Sequence, residues 1–329
     1  MRDRPWTWAA FLVPLLAIAF WMLRARRAAP DTVLPPLTAP ERDLRGRLHA
    51  HVERLAAGGA SRCLAEPEAL ERAALYVEEQ LGAAGDAVAR QPFTVQGREV
   101  RNLEVERRGA GRPQEIVVLG AHYDAVARAP GADDNASGVA ALLEIARLLA
   151  GRTHPRTLRL VAFVNEEPPF FQTGDMGSLR YARRCRERGE NVVAMLALES
   201  IGFYSDRPGS QDYPAGLGLL YPSTGNFLGV VGDLGARGLV DSVSAALRRH
   251  TAVPTVAAAL PGLLPGVGWS DHWSFGQAGY RAVMLTDTAP FRNPHYHQPT
   301  DTPDTLDYDR TARVTAAVAE VVAELLAAP

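Results

Sequence analysis

Cysteine is scarce in this sequence, which limits the metal sites and covalent bonds that the chain can form. Cys63 and Cys185 are the only two cysteines among the 329 residues. They form no CxxC pair, and this spacing excludes a structural zinc knuckle built on thiolates. Two interpretations stay open: a single disulfide bond, or two unrelated thiols.

An excess of charge of either sign is also absent. The formal net charge is -2 at pH 7, whereas nucleic-acid-binding domains carry a clear excess of Lys and Arg. We therefore expect no nucleic-acid partner. The sequence has no internal repeat, and its 47% of hydrophobic residues are enough for one sizeable core. Nothing in the sequence predicts the oligomeric state.

The N-terminus carries an uncharged run of eighteen residues, WTWAAFLVPLLAIAFWML, from Trp6 to Leu23. Arginines flank this run on both sides, so the charges do not decide its orientation. Its length just spans a bilayer core, and its terminal tryptophans suit the two interfaces. A cleaved signal peptide is the alternative, although signal peptides have a shorter apolar region and a small-residue cleavage site. We predict a membrane anchor in residues 1–27, a Pro/Ala-rich linker in 28–40 and one globular domain in 41–329.

Helical and strand-like segments alternate along this domain. Helical spacing of apolar residues begins at Glu41, and a second helical segment covers Glu66 to Leu81. Short apolar runs predict strands at 87–95, 100–106, Ile116–Leu119, Thr157–Val164, Val192–Leu198, Leu217–Tyr221, Val256–Leu260 and Ala282–Leu285. The alternation predicts an α/β fold in which helices flank a mixed, largely parallel central sheet.

Side chains that can bind metal ions follow several of these apolar runs. In chain order they are His122 and Asp124, Asp134, Glu166 and Glu167, Glu199, and His297. Because strands of a parallel sheet end at one edge, we expect these side chains to meet there. Carboxylates gathered at one edge are costly unless a cation neutralises them. Imidazole and carboxylate ligands without thiolates suit Zn²⁺, with Mn²⁺ or Co²⁺ as substitutes, and their number suits two ions that share a carboxylate.

Six short motifs carry a family resemblance: HYD at 122–124, GADDNASG at 131–138, NEE at 165–167, LES at 198–200, SDH at 270–272 and YHQPTDTPDTL at 296–306. In order and approximate spacing they resemble the di-zinc aminopeptidases. These co-catalytic zinc exopeptidases include bacterial leucyl aminopeptidase and, more distantly, glutaminyl cyclase and glutamate carboxypeptidase. The resemblance runs from about Arg47 to the C-terminus, and it implies a zinc-dependent hydrolase that removes N-terminal residues from peptides.

The resemblance implies which residues would bind the two Zn²⁺ ions. One ion would lie among His122, Asp134 and Glu199. The other would lie among Asp134, Glu167 and His297, so that Asp134 bridges the two ions. Asp134 is chosen over Asp133, for which a turn residue is the alternative, because the bridging carboxylate of this motif directly precedes the Asn. His295 competes with His297 as a ligand, but His297 fits the motif better.

The resemblance also implies roles for residues beside the ligands. Asp124 would hydrogen-bond the imidazole of a ligand histidine and orient it. Glu166 would be the general base, which takes a proton from a metal-activated water and delivers it to the leaving amine. Asp271 and His272 are expected to support the site or contact the substrate.

The segment after the Glu-Glu pair departs from the family pattern, because it reads Pro168-Pro169-Phe170-Phe171 where many relatives have a shorter loop. Two phenylalanines near the metals would wall an apolar substrate pocket. The alternative is that Phe170 and Phe171 pack into the core.

The sequence therefore favours a membrane-anchored metallo-aminopeptidase with peptide substrates. A glutaminyl cyclase is the alternative enzyme, although cyclases tend to lack the Asn-x-Ser-Gly run at 135–138. A non-catalytic receptor-type domain of the same fold is the third hypothesis, although such domains lose ligands that this chain retains. From the family's habits we expect a single-pass membrane protein whose catalytic domain is extracytoplasmic, in the periplasm or outside the cell.

Overall fold

An eight-stranded sheet runs through the part of the chain that the computed structural model describes, residues 33–85, 87–214 and 216–328. Its strands are β1 (Val88–Val95), β2 (Arg98–Arg107), β3 (Arg112–His122), β4 (Arg156–Phe163), β5 (Asn191–Glu199), β6 (Leu228–Gly232), β7 (Thr255–Ala259) and β8 (Ala282–Thr286). They lie in the order β1-β2-β4-β3-β5-β8-β6-β7. Strands β4, β3, β5 and β8 are parallel neighbours, whereas β2 pairs with β4, and β6 with β8, in antiparallel fashion. The predicted α/β domain with a mixed, largely parallel sheet is confirmed.

Helices cover both faces of this sheet. They are α1 (Ala39–Ala56), α2 (Pro67–Ala83), α3 (Gly138–Leu148), α4 (Gly177–Glu187), α5 (Arg237–His250), α6 (His272–Gln277) and α7 (Tyr308–Ala327). None of the helices in the described ranges is long and apolar enough to cross a membrane. The predicted anchor, Trp6 to Leu23, lies outside the described residues.

Helix α1 begins two residues before the predicted start at Glu41. Thr38 is its N-cap, and the Thr38 amide donates to the Glu41 carboxylate over 2.7 Å while the Glu41 amide donates back to the Thr38 hydroxyl. This reciprocal capping satisfies two amides that the first helical turn leaves unpaired. Pro40 lies in the first turn, where its missing N–H costs nothing. The last residues of the predicted linker 28–40 therefore belong to the helix.

The central strand β3 is buried on both faces. Val117 and Leu119 belong to a large core cluster with apolar residues of α1, α2, α3, α5 and α7. Ile116 and Val118 belong to a smaller cluster with residues of α4 and α6. A strand covered on both sides needs an uninterrupted apolar run. Polar groups therefore collect beyond the strand ends.

In the second half of the chain one predicted strand is wrong and one observed strand was not predicted. Leu217–Tyr221 is not a strand, because a short helical turn at Leu217–Leu219 follows Gly216, whose φ is +86°. Strand β6 was not predicted, because its five residues are interrupted by Gly229 and end at Gly232. The strand pairs with β7 and β8, and such long-range pairing is not visible in a local sequence pattern.

The two cysteines are free thiols. Cys185 is buried in the smaller cluster, and Cys63 is partly exposed. Of the two interpretations that the sequence left open, unrelated thiols describe this structure.

Buried Glu144 connects helices α1 and α3. Its carboxylate accepts hydrogen bonds from Arg47 at 3.0 Å and from Arg147 at 2.9 Å, and it lies 3.3 Å from Nε2 of His51. Burial by itself would raise the pKa of Glu144, but the hydrogen bonds from His51, Arg147 and Arg47 outweigh it and lower the pKa below 4.5. The ionised carboxylate therefore stabilises the fold above pH 4.5.

We predict that Glu144→Gln lowers the free energy of unfolding at pH 7 by about 1–3 kcal/mol, because it removes hydrogen bonds to a charged acceptor. The folded-state pKa is depressed, so the native contribution is lost as pH falls from 4.5 through that lower pKa. Denaturant titrations at pH 7 and at pH 4 measure both effects, and the variant should lose less stability on acidification. Glu187→Gln, on the exposed face of α4, is the control. Equal stabilities of E144Q and E187Q at pH 7 would contradict the assignment.

Candidate metal centre

The predicted ligands lie at one edge of the sheet, beyond the carboxyl ends of the parallel strands. His122 ends β3 and Glu199 ends β5, while Glu167 follows β4. Asp134 lies in the turn Ala132–Ser137 before α3, and His297 lies in the loop after β8. The alternating topology therefore gathers residues that are up to 175 positions apart in sequence, from His122 to His297.

These side chains form two groups that share Asp134. In the first, Nε2 of His122 lies 3.3 Å from Oδ1 of Asp134 and 3.2 Å from an oxygen of Glu199. In the second, Nε2 of His297 lies 3.2 Å from Oδ2 of Asp134 and 3.2 Å from an oxygen of Glu167. Within each group the ligand atoms all lie within 4.8 Å of one another. The two oxygens of Asp134 thus face two different histidines.

Two of the buried ligand atoms lack hydrogen-bond partners, which is compatible with cations bound between these side chains. Oδ1 of Asp134 and Nε2 of His297 are buried and have no hydrogen-bond partner, although potential partners lie close. Nε2 of His122 lies within hydrogen-bonding distance of Glu199, at 3.2 Å, but the Asp134 oxygen and the His297 nitrogen keep no partner, and buried polar atoms without partners are costly. The ligand types are imidazole and carboxylate, which suit Zn²⁺.

Burial and mutual repulsion perturb the ionisable groups of the site. Burial raises the pKa of Glu167 to about 7 and the pKa of Glu166 well above its usual range. Burial opposes protonation of His122 and His297, but the facing carboxylates outweigh it, so that the pKa of His297 rises to about 10 and that of His122 rises as well. Cations at the two groups would favour the ionised carboxylates and the neutral imidazoles.

Asp124 connects the ends of β3 and β4. Its two carboxylate oxygens accept the backbone amides of Glu166 and Glu167, each over 3.1 Å. Its Oδ1 also lies 3.5 Å from Nδ1 of His122. The structure thus brings Asp124 beside the imidazole, as expected for a residue that orients it, and gives it a second partner in the Glu-Glu segment.

Glu166 lies beside the first group of ligands. One of its carboxylate oxygens is 3.9 Å from Nε2 of His122, and the side chain is buried. It belongs to neither group of converging ligand atoms. A carboxylate in this position is free to exchange protons with a molecule bound between the two groups.

Several segments that deliver these side chains adopt the left-handed conformation. The φ angles are +60° at Asn165, +45° at Ser200 and +58° at His297. Such angles cost about 1–3 kcal/mol each for residues other than glycine, and they persist only where the surroundings determine them. One determinant is the side chain of Asn135, which accepts the Ser200 amide over 3.0 Å and donates to the Leu198 carbonyl over 2.8 Å.

Three residues support the ligands through hydrogen bonds, although the sequence gave Asp301 and Ser270 no role and Asp133 only that of a turn residue. Asp133 is a buried acceptor for the Gly202 amide at 2.9 Å and the Asn293 side chain at 2.8 Å, rather than only a turn residue. Asp301 accepts the amides of Asp133 and Asp134, which fixes the turn that carries the shared carboxylate. Ser270 donates to Glu199 over 2.7 Å. Ser270 belongs to the motif SDH at 270–272 and Asp301 to the motif at 296–306, and membership of these motifs was the only indication of their role in the sequence.

Asp271 and His272, which the sequence placed near the site, are both buried at the start of α6. Neither carboxylate oxygen of Asp271 has a hydrogen-bond partner, and burial raises its pKa to about 7. Burial lowers the pKa of His272 to about 4. Its neutral ring therefore donates from Nε2 to the Val267 carbonyl, over 2.7 Å. His272 thus fixes the loop before α6.

An apolar cavity of about 90 Å³ borders Glu199 and Tyr296. Its walls include Phe227, Val256, Leu260, Trp269, Met284 and Phe291. Trp269 and Phe291 stack with their ring centroids 6.1 Å apart. The expected wall residues Phe170 and Phe171 do not line this cavity. Phe170 instead packs into the large core cluster, which was the alternative for it.

Comparisons with known proteins show which family the chain resembles in sequence. Residues 102–322 match the family described as Peptidase family M28. The chain is 40% identical to the uncharacterized protein YfbL of Escherichia coli K12 over 258 residues, which cover 76% of this chain and 78% of YfbL. It is 27% identical to leucine aminopeptidase 1 of Arthroderma otae over 230 residues, which cover 65% of this chain and 56% of that protein. The chain thus spans little more than half the length of that aminopeptidase.

Solved structures share the fold. The LapA aminopeptidase of Legionella pneumophila aligns with a TM-score of 0.69 and 18% identity, covering 90% of this chain and 77% of that one. A glutaminyl cyclase of Bacteroides thetaiotaomicron, bound to N-acetylhistamine, aligns with a TM-score of 0.63 and 18% identity, covering 88% and 98%. At such identities the likeness concerns the fold, which an aminopeptidase and a glutaminyl cyclase have in common.

We predict that Asp124→Asn weakens metal binding. The side-chain amide cannot accept both backbone N–H groups of the Glu-Glu segment, and removing such support typically costs about 10–100-fold in metal affinity. Competition with a chromogenic chelator measures the affinity for Zn²⁺. Asp241→Asn, exposed on α5, should leave the affinity unchanged. An unaltered affinity in D124N would show that the contact does not support the ligands.

Proposed function

The chain belongs to peptidase family M28, as its motifs predicted, and from this we propose that it is a zinc-dependent aminopeptidase that hydrolyses the N-terminal residue from peptides. One observation supports the proposal above all: two groups of ligand atoms share Asp134, with Glu166 beside them. His122, Asp134 and Glu199 would bind one Zn²⁺, and Asp134, Glu167 and His297 the other. The bound ions would polarise the scissile carbonyl and lower the pKa of the attacking water.

Glu166 is the general base in this proposal. Its side chain is buried beside the ligands, and burial raises the pKa of its carboxyl well above the usual range, which is the direction that suits a general base. Its carboxylate takes a proton from the attacking water and then delivers it to the nitrogen of the leaving amine. Asp124 positions this base, because it accepts the backbone amides of Glu166 and Glu167.

The apolar cavity beside Glu199 would take the side chain of the N-terminal residue. Its aromatic and aliphatic walls supply no charged partner apart from Glu199 at its border. Burial of apolar side-chain surface contributes about 25 cal/mol per Å². We therefore propose that peptides with an apolar N-terminal residue are the preferred substrates.

A hydrolase is favoured over the two other hypotheses. The Asn-x-Ser-Gly run that cyclases tend to lack is present, and its Asn135 and Ser137 side chains hydrogen-bond the chain after β5. A receptor-type domain would have lost ligands, whereas the residues that the family resemblance implies as ligands are present and lie together in two groups. The solved aminopeptidase and glutaminyl cyclase structures share the fold with this chain at the same 18% identity, so they do not decide between the two enzymes.

Residues 1–27 are proposed as a membrane anchor, followed by the linker and by the peptidase domain in 41–329. The uncharged run from Trp6 to Leu23 supports this, since eighteen apolar residues suffice for a bilayer core. We propose that the protein is single-pass and that its peptidase domain is extracytoplasmic, where it meets peptides outside the cytoplasm.

Replacement of the general base should separate chemistry from metal binding. We expect Glu166→Gln to lower kcat by about 10²–10⁴-fold, because general acid–base catalysis typically contributes that much. Zinc content, measured by elemental analysis, should stay at the level of the unaltered protein. Glu79→Gln, exposed on α2, serves as the control. Undiminished activity of E166Q would remove Glu166 from its assigned role.

The cavity predicts a graded substrate preference. On aminoacyl-nitroanilides, kcat/KM for leucine should exceed that for alanine, and chelation should abolish both activities until zinc is restored. Ala258→Leu, which fills the cavity, should lower the leucine-to-alanine ratio by about tenfold or more, the scale of one or two methylene groups in a pocket. The alanyl substrate is the internal control. Conversion of a Gln-initiated peptide to pyroglutamate, without hydrolysis of any substrate, would instead establish the cyclase.

Membrane orientation is tested with reporters fused after Pro329. Alkaline phosphatase, which is active only outside the cytoplasm, should be active in this fusion. A β-galactosidase fusion, which works only in the cytoplasm, should be inactive. The reverse pattern would place the peptidase domain in the cytoplasm and overturn the proposed orientation.

A further inference from the structure

Arg62 is a buried arginine to which the proposed mechanism assigns no task. It lies in the segment between α1 and α2 and is 1% exposed. Full burial of a guanidinium group is rare unless its donors are paired. The partners of Arg62 therefore indicate what this charge does in the fold.

All the hydrogen bonds of the Arg62 side chain go to backbone carbonyl oxygens. Its Nε donates to Tyr123 at 2.9 Å, and its Nη2 donates to Gly131 at 2.8 Å. Its Nη1 donates to Pro130 at 2.5 Å and to Leu55 at 3.2 Å. The Arg62 carbonyl also accepts the amide of Ala125 at 3.0 Å. Arg62 thus binds both ends of the segment Tyr123–Gly131.

This segment joins two residues of the first group of ligands. It begins directly after His122 and ends three residues before Asp134. The Gly131 carbonyl accepts a second hydrogen bond, from the amide of Ala136 at 3.1 Å, inside the turn that carries Asp134. Arg62 is therefore connected to both ligands, His122 and Asp134, through hydrogen bonds with the main chain between them.

Glycine at position 131 makes this approach possible. Its φ is +65°, and a Cβ there would lie 2.3 Å from the Asp134 carbonyl oxygen and 3.0 Å from Nη2 of Arg62. Any side chain would push the segment away from the guanidinium or from the turn. The buried guanidinium group of Arg62 therefore requires glycine at position 131, against which it packs.

The charge of Arg62 is complementary to the site. Although burial disfavours the charged guanidinium, Asp301, Asp124, Asp134 and Glu167 all favour it electrostatically. Two of these carboxylates are proposed metal ligands, and the other two support the ligands through backbone amides. A fixed positive charge behind them reduces their mutual repulsion without occupying a metal position.

We propose that Arg62 is a positioning residue for the metal centre: its guanidinium group fixes the segment Tyr123–Gly131 and thereby sets the separation of His122 and Asp134. The inference rests on the proposed function, because it concerns the same ligands. It goes further in assigning the geometry of the first ligand group to a residue that touches neither metal nor substrate.

The test compares Arg62→Lys with Arg159→Lys in the full chain. Lysine keeps the charge but cannot donate to carbonyl groups on both ends of the segment. Arg159, in β4, is a buried arginine that binds Glu106 and Glu190 instead of the segment, so R159K controls for the loss of any buried guanidinium. Zinc affinity is measured by chelator competition, and kcat and KM are measured at saturating zinc.

We expect R62K to weaken the affinity for zinc by about 10–100-fold, the scale for residues that support metal ligands. With zinc restored, its kcat should fall while KM changes little, and R159K should match the unaltered protein in affinity and kcat. If R62K loses thermal stability to the same extent as R159K but keeps the zinc affinity and kcat of the unaltered protein, Arg62 has only a structural role and the proposal is overturned.

A second variant covers the case in which R62K does not fold. Arg62→Gln is shorter and neutral, and both variants are prepared with and without zinc. Recovery of the folded state on addition of zinc supports the proposal, because bound metal then replaces the missing constraint. Failure to fold under both conditions in both variants overturns it. Zinc affinity does not depend on turnover, so an unaltered protein that binds zinc but hydrolyses no peptide would refute the proposed function and leave this test intact.

Discussion

The arrangement of the site depends on one constraint, the position of the buried Asp134 carboxylate between two histidines. Oδ1 of Asp134 faces His122 and Oδ2 faces His297, at 3.3 and 3.2 Å. A second carboxylate completes each side. Such a concentration of buried negative charge is unfavourable on its own, since burial raises the pKa of Glu167 to about 7. Bound cations would offset this repulsion, and the positive charge of Arg62 behind the site reduces it.

Backbone hydrogen bonds carry much of the support for this arrangement. Asp124 and Asp301 each accept two successive backbone amides, one pair in the Glu-Glu segment and one in the turn of Asp134. Arg62 acts as a donor instead, because its guanidinium group hydrogen-bonds main-chain carbonyl groups of the segment Tyr123–Gly131. Charged side chains that bind main-chain groups fix loops that have no strand or helix of their own. The ligands are thus positioned by charged side chains from other parts of the sequence, which hydrogen-bond the main chain around them.

The sequence predicted the fold class and the meeting of the ligands, because both follow from short-range patterns. Apolar runs such as Ile116–Leu119 are long enough to identify central strands, and a polar residue after each run marks the strand end. Strand β6 escaped prediction because its five residues include two glycines, and its pairing is determined by β7 and β8. Arg62 escaped because a single arginine carries no periodic signal, and its carbonyl partners have no signature in the sequence. The expected role of Phe170 in a substrate wall stays a prediction, because Phe170 packs into the core cluster but also lines a separate cavity beside Glu167.

We propose that two cations share Asp134, and anomalous X-ray scattering at the zinc absorption edge tests this proposal most directly. Crystals of the protein grown with zinc should show two anomalous peaks on either side of Asp134. One peak should contact His122 and Glu199, and the other should contact Glu167 and His297. A single peak that leaves one of these groups empty, or peaks only at surface residues, would contradict the account.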